Sequence, residues 1–484
     1  MSPPNLNLAL ATPEIFLLVM TCVIMMVDLF SPAEKRESRL FILSIGTLAL
    51  VALSVCSLAI PMAAPRLAFS GMLVVDGMAT LLKIAIAIAV AMVIVYSRGY
   101  LAARKLFTGE FIILILFATL GMMIMVSANH FISLYLGLEL LALSSYAMVA
   151  LNRDSATSSE AAMKYFILGA LASGLLLYGL SMIYGATGSL DVNKVAAIIS
   201  ASRGIDPLIM FGLVFVVSGL AFKLGVAPFH MWVPDVYHGA PTAMTLFIGS
   251  APKLAAFGFI MRILADSLAG AVGDWQGMLV ILAMLSMALG NIVAIAQTNL
   301  KRMLAYSTIS HMGFLLLGIL AGTKSGYASG MFYVITYVLM TAGAFGMIML
   351  LSRAGFEADN IDDFKGLNQR SPLYALLMLF IIFSMAGIPP FLGFWAKLAV
   401  LEGALNAGYT WLVVFAVLIS VIGAYYYLRI IKVMYFDGPT DLAPITASVD
   451  MRGLLVINAF ALLVLGLFPS ALMTACLNAI QASF

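Results

Sequence analysis

Charged residues are scarce in this chain. Asp, Glu, Lys and Arg together make up 10% of its 484 residues, against 63% hydrophobic, where an ordinary soluble domain carries about 25% charged residues. With a mean hydropathy of +1.10, most of the chain must sit where water is excluded, and a soluble fold is ruled out. Cysteine is nearly missing as well: Cys22, Cys56 and Cys476 lie far apart in apolar stretches. There is no C-x-x-C and no paired histidine spacing, so neither a metal site nor an iron-sulfur cluster is signalled. The phosphate-cradling patterns G-x-G-x-x-G and G-x-x-x-x-G-K-[ST] are absent, and no cofactor is expected in this chain itself. The net charge of +3 is scattered along the sequence rather than gathered, which argues against nucleic acid as a partner. Met1 to Leu10 has no basic region before its apolar run and reads as the approach to a first span, not as a cleaved signal.

What is present is a succession of apolar runs broken by charges, glycine, proline and serine. Each run is close to the roughly 20 residues that a helix needs to cross a bilayer, and the division predicts about 14 transmembrane helices. The expected class is an all-α polytopic membrane protein. Loops after the odd-numbered spans carry most of the Lys and Arg, whereas the opposite loops hold only Arg66, Lys194, Arg203, Arg262 and Lys324. By the positive-inside rule both termini then face away from the cytoplasm. Two longer connections, 186–206 and 353–371, read as packing or contact surfaces, with an amphipathic turn or two expected between Asp191 and Ser202.

The cations left within spans are all lysines: Lys83, Lys164, Lys223, Lys253 and Lys397. A lysine at mid-bilayer costs up to about 2.5–3.5 kcal/mol, so each requires a reason. Lysine, unlike arginine, can release its proton when desolvated or placed near another cation, which makes it the usable base for proton exchange. Glu139, in the middle of its span, is the clearest buried acid and needs a proton or a cation, for which Lys164 and Lys223 are candidates. Lys253 directly follows Pro252 at mid-span, where a missing backbone donor leaves polar room, and a transport role is favoured there. Lys164 and Lys397 lie nearer helix ends, and Lys164 has the reach to snorkel to the surface. Lys83 shares a helical face with Asp76 and Thr80, which suggests a structural polar seam. His230 and His311 are relay candidates, with His230 favoured; Glu14, Asp28, Asp235 and Glu402 are placed near the interfaces, without function.

One pattern recurs. Gly225-Val226-Ala227-Pro228-Phe229 in span seven matches Gly387-Ile388-Pro389-Pro390-Phe391 in span twelve as G-x-x-P-F. Proline removes a backbone donor and glycine lowers helix preference, so both spans should be discontinuous inside the membrane. The two run in opposite directions and are five places apart in the order of spans, which implies two inverted five-helix repeats. The resulting division is 1–107 for three N-terminal helices, 108–264 for the first repeat, 276–431 for the second, and 451–484 for a closing helix. A lysine lies near each break, Lys223 before the first and Lys397 after the second, which suggests two half-channels.

At these residues the chain resembles the antiporter-like subunits of proton-pumping NADH:quinone oxidoreductase (complex I), those of N type in particular, over nearly its whole length. The similarity is carried by Leu136 to Leu140 around Glu139, Lys164 to Ala170, Phe222 to His230, Pro234-Asp235-Val236-Tyr237, Gly239 to Thr242, Ala251-Pro252-Lys253 and Gly387 to Lys397. It implies that Glu139, Lys164, Lys223, Lys253 and Lys397 form a proton path assisted by His230, with Lys397 the terminal residue toward the outer side. It also implies membrane partners, including an M-type and smaller subunits, and flavin, iron-sulfur clusters and quinone elsewhere in the complex. A multi-pass position in a bacterial inner membrane is expected from the full set of spans. Mrp-type cation/proton antiporters and membrane-bound hydrogenase subunits share the pattern and are the alternative. Ala396 stands before Lys397 where many relatives have glycine, a departure that bears on local packing.

Overall fold

Inside a bilayer every backbone N–H and C=O must find its partner within the protein, and this chain meets the requirement with helices. A computed structural model of the chain describes residues 6–59, 64–201 and 204–484. The first five residues of the expected N-terminal unit, and Ser202 and Arg203 of the expected outer loop, lie outside the described residues. Helices α1 (Thr12–Leu29), α2 (Ala33–Ala59) and α3 (Gly77–Ala102) come first. They are followed by α4 (Gly109–Ser127), α5 (Phe131–Val149), α6 (Ala156–Thr187), α7 (Val192–Ala201), α8 (Pro207–Leu224), α9 (Trp232–Gly239), α10 (Thr242–Gly249) and α11 (Ala251–Ile260). The second unit holds α12 (Val272–Ile295), α13 (Leu300–Leu320), α14 (Lys324–Leu351), α15 (Leu367–Arg370), α16 (Pro372–Ala386), α17 (Leu392–Asn406) and α18 (Thr410–Phe436), and α19 (Val449–Leu467) and α20 (Pro469–Gln481) close the chain.

Among the described residues, 13 segments are long and apolar enough to cross a membrane. Span twelve completes the expected set in two pieces, α16 and α17, neither long enough alone. Span seven is likewise divided, into α8 and α9, so both discontinuities fall where the Gly-Pro patterns placed them. Within the segments 242–267 and 300–320, 94% of the most apolar window is buried, against 33% for α2. The core therefore runs through α10, α11, α13 and α14, and the other helices surround it. Glycine lets neighbours close in: a Cβ on Gly121 of α4 would lie 2.7 Å from the Gly137 carbonyl oxygen of α5, and one on Gly179 of α6 would lie 2.6 Å from that of Gly212 in α8.

Several boundaries differ from expectation for local reasons. Span three starts later, at Gly77, because a short antiparallel pair, Arg66–Ala68 with Leu73–Val75, precedes it. Asp76 then caps the helix, accepting from the Ala79 N–H at 2.8 Å. The last span ends at Leu467, since Pro469 cannot continue its hydrogen bonding and opens α20 instead. α7 is the amphipathic segment foreseen in 186–206, and it turns Val192, Val195 and Ile199 inward.

Candidate functional site

The two helix breaks are built alike. α8 stops at Gly225, whose φ of +79° suits glycine, and the N–H groups of Gly225 and Val226 both donate to the Ala221 carbonyl, at 2.9 and 3.0 Å. α16 stops at Gly387 with φ +82°, and Gly387 and Ile388 both donate to the Phe383 carbonyl, at 3.1 and 3.0 Å. Such caps leave the final carbonyls without backbone partners and concentrate partial negative charge at the helix C-terminus. A cis peptide follows in each case, at Ala227-Pro228 and Pro389-Pro390.

A lysine ammonium meets each of these carbonyl ends. Lys253 Nζ donates to the Leu224 carbonyl at 2.7 Å, and Lys397 Nζ to the Ala386 carbonyl at 2.9 Å. In both repeats the acceptor is the residue just before the glycine. Lys253 is 1% exposed and its Nζ lies 5.4 Å from the centre of the Trp232 ring. It sits in the first turn of α11, after a break at Ser250 that separates α10 from α11, with Pro252 in the initial turn. Lys397 is partly buried, donates also to Ser420 Oγ at 3.1 Å, and faces the Phe314 ring at 5.3 Å. The second break thus carries its expected lysine, whereas at the first the carbonyl is held by Lys253 of a neighbouring helix. Lys223 bonds Ser173 Oγ at 3.2 Å.

Between the two lysine sites the core is rich in hydroxyls. His311, 3% exposed, shares its ring nitrogens with Tyr333 Oη at 2.7 Å and Tyr427 Oη at 3.1 Å, and Tyr427 also meets Ser307 Oγ at 2.5 Å. Thr308 and Tyr337 pair at 2.8 Å. His230 is half-buried, and among the described residues its Nδ1 has no hydrogen-bond partner. Of the two histidines, His311 is therefore the one anchored within a polar network. The aromatic hydroxyls were not singled out from sequence, although Tyr333 and Tyr337 lie one helical turn apart on α14.

The charge pairing differs from that expected. Glu139 Oε1 is buried without a hydrogen-bond partner, and within 4 Å Glu139 pairs with neither Lys164 nor Lys223 among the described residues. Lys164, instead of holding Glu139, pairs with Glu160 at 2.9 Å and Asp235 at 2.8 Å near the surface. Asp235 also accepts from Arg302 at 3.1 Å and so is no bystander. Asp76, Thr80 and Lys83 do not form one seam: Lys83 pairs with Glu14 at 2.5 Å, and Asp76 with Arg262 at 2.7 Å. The interior is not limited to lysine either. Arg262, counted above as an outer-loop cation, is 2% exposed and held by Asp76, by Asp266 at 3.1 Å and by the Val126 carbonyl at 3.1 Å. Lys301, counted as an inner-loop cation, is 3% exposed and donates to the Ala240 carbonyl at 2.8 Å. Each lies within a turn of a helix end, where sequence cannot tell whether a neighbour covers it.

A family model described as NADH:quinone oxidoreductase/Mrp antiporter, transmembrane, matches residues 128–423, the stretch that contains both breaks and all the lysines from Lys164 to Lys397. The chain belongs to this family. A protein of Nitrosomonas europaea named NADH-quinone oxidoreductase subunit N is 60% identical over 473 residues, covering 98% of each chain. One of the same name from Thiobacillus denitrificans is 58% identical over 480 residues, covering 99% of each. Among solved structures, a chain of respiratory complex I from Thermus thermophilus superposes with a TM-score of 0.81 at 31% identity, covering 96% of this chain and 99% of that one. A chain of the Mrp complex from Dietzia sp. shares the fold, with a TM-score of 0.84 at 21% identity, covering 98% and 99%. Within that fold, what the geometry adds is a pair of ammonium groups on helix ends, with hydroxyls and an imidazole between them, a set able to hold and pass protons.

Proposed function

We propose that the chain is the N-type, proton-translocating subunit of a proton-pumping NADH:quinone oxidoreductase. It spans a bacterial inner membrane with both termini outward, beside M-type and smaller membrane subunits, while flavin, iron-sulfur clusters and quinone serve the redox steps in partner chains. The matched lysine-on-carbonyl contacts at the two breaks, Lys253 on Leu224 and Lys397 on Ala386, carry this reading. Each contact gives the ammonium a carbonyl acceptor, and among the described residues neither amine has a carboxylate within ion-pair distance, so it is free to lose its proton without breaking an ion pair.

In this reading a change in the surroundings of Glu139 and Lys223 starts the cycle. Glu139 has an unsatisfied oxygen, and Lys223 is held by a neutral serine, so a small displacement can join or separate them. A proton then moves by way of Lys253 and the His311 hydroxyl cluster to Lys397, which delivers it outward. Among the described residues, Glu139 Oε1 and His230 Nδ1 lack a hydrogen-bond partner and are groups that water would serve along the way. The near-full-length relatives favour this subunit over an Mrp-type antiporter. The test is Lys223→Ala in the intact complex reconstituted into vesicles: the complex assembles, and proton translocation driven by NADH oxidation is lost. Normal proton stoichiometry in that variant overturns the assignment.

A further inference from the structure

On the face opposite the chain termini, a polar cavity of about 180 Å³ opens between α6, α9 and the start of α13. Thr157, Glu160, Lys164, Asp235, His238 and Arg302 are among the residues that line it. Asp235 stands at its centre of charge, bonded to Lys164 of the first repeat at 2.8 Å and to Arg302 of the second at 3.1 Å. It follows Gly225 at the same distance as Lys397 follows Gly387. Because the repeats are inverted, equivalent positions fall toward opposite faces of the membrane. If Lys397 serves the outward end, Asp235 marks the inward one.

Behind the cavity the polar groups continue. Arg302 points into it, and the preceding residue, Lys301, turns into the protein to reach the Ala240 carbonyl. The α9–α10 junction is tied down by Thr245 Oγ1, which donates to the Tyr237 carbonyl at 3.0 Å. A Cβ on Gly249 would lie 3.2 Å from Tyr237 Oη and 3.5 Å from Thr341 Cγ2, so these two hydroxyl-bearing side chains gather at the Ser250 break, one turn before Lys253. Titratable or hydroxyl-bearing side chains are thus found at the exposed mouth, at Lys301 behind it and at the Ser250 break beside the buried Lys253.

We infer that this cavity is the proton-intake vestibule of the chain, that Asp235 is the positioning residue holding its rim open across the two repeats, and that Lys301 is the first buried carrier behind it. The inference rests on the proton-path reading given above. Lys301 passes its proton toward Lys253 and regains one from water in the vestibule; no electron moves, and the amine returns to its initial charge. Asp235 does not carry the proton. It fixes Lys164 and Arg302 so that their side chains line the opening without closing it.

The test places a single cysteine at Thr157 (Thr157→Cys) in a chain whose Cys22, Cys56 and Cys476 are replaced by serine. The intact complex is treated with a bulky, charged, membrane-impermeant thiol reagent in inside-out vesicles. Labelling is expected to lower proton translocation about a hundredfold, the lower end for losing a positioned proton-transfer group, and reagent applied from the opposite face is expected to do nothing. Lys301→Met should give the same loss, and Asp235→Asn a smaller one that Asp235→Glu restores. Full labelling of the cysteine with unchanged translocation overturns the vestibule, even where the Lys301 variant does not assemble. Lys253→Met runs in parallel: if it pumps normally, the underlying proton path is wrong, whereas if it is inactive and the blocked vestibule still pumps, only the intake assignment fails.

Discussion

Replacing Lys253 by methionine and, separately, by arginine divides the roles that its amine can play. Methionine removes the bond to Leu224 at 2.7 Å, and a hydrogen bond to a charged group contributes about 1.5–3 kcal/mol. It also removes an ammonium held at 1% exposure with no carboxylate in contact among the described residues, a burial that costs several kcal/mol in its own right. The two effects oppose each other, so Lys253→Met should leave thermal unfolding of the assembled complex unchanged or slightly raised. Arginine keeps the positive charge and a donor for Leu224 but holds its proton. Its ordinary pKa lies about two to three units above that of lysine, or roughly 2.7–4.1 kcal/mol, so proton release slows by about 10²–10³. Some overpacking, of about 1–3 kcal/mol, comes with the larger head group.

Three measurements on the same vesicles separate the possibilities: the rate of NADH oxidation, the proton gradient formed per NADH, and the melting of the complex. If Lys253 carries protons, both variants assemble and neither pumps through this chain. If Lys253 only ties α11 to the end of α8, arginine, which keeps a charged donor for the Leu224 carbonyl, preserves pumping. Lys253→Arg pumping at the parental stoichiometry would refute the reasoning, because no buried arginine at that site can cycle its proton at the required rate.

Gly387→Ala adds a Cβ at φ +82° that falls 2.8 Å from Lys397 Cδ; it should cost about 1–2 kcal/mol in backbone strain, push Lys397 off the Ala386 carbonyl and reduce proton translocation more than stability, as read by the pumping ratio and the melting point. Asp76→Asn keeps the cap of α3 but leaves Arg262 short of a charge at 2% exposure, with an expected destabilisation of about 3–5 kcal/mol, whereas Lys164→Met, which removes an exposed ion pair, should leave the melting point nearly unchanged; equal melting points for the two would contradict this ranking. In the 437–448 connection, the hydrogen bond from Arg353 at 2.8 Å, helped by the Ala443 N–H, holds the Asp441 carboxyl below its ordinary value. Its tether is therefore present above the ordinary carboxylate pKa of about 3.9 and is lost as pH falls through the lowered value. Hydrogen exchange of that segment, corrected for intrinsic rates, should be the same at pH 7 and pH 5 and rise only in stronger acid; a midpoint near neutrality would be inconsistent with it.

The spans and both breaks were legible in the sequence because their causes are local. Hydropathy fixes how long a run stays in the bilayer, and a glycine with a nearby proline fixes where a helix cannot continue. The burial of Lys253 was legible for the same reason, since it lies at mid-span, far from either membrane face. The ion pairs were not. Glu14 and Lys83 meet from α1 and α3, and Arg262 collects Asp76 from α3, a carbonyl from the end of α4 and Asp266 from its own helix. A residue one turn from a helix end is solvated or buried according to which neighbour covers that end, and nothing within its own span records the choice. Periodicity placed Asp76, Thr80 and Lys83 on one face of α3, but a shared face says only that residues can meet, not that they prefer each other to partners on facing helices.

The first break illustrates the point most sharply. Nearness in sequence pointed to Lys223, which lies before Gly225, as the partner of that break, by analogy with Lys397 after Gly387. In the folded chain Lys223 sits in the last turn of a helix whose terminal carbonyls point away along the axis, so its own side chain is poorly placed to reach them. A group that takes the Leu224 carbonyl must approach from beyond the helix end, and α11 crosses there with Lys253 in its first turn. At the second break the half-helix after the gap, α17, returns past the same end and brings Lys397 with it, while α18, following it as α10 and α11 follow α9, supplies Ser420. The two repeats thus keep the acceptor and exchange the helix that provides the donor. Lys223 is thereby left free of the carbonyl end, bonded to Ser173, and able to respond to the charge on Glu139.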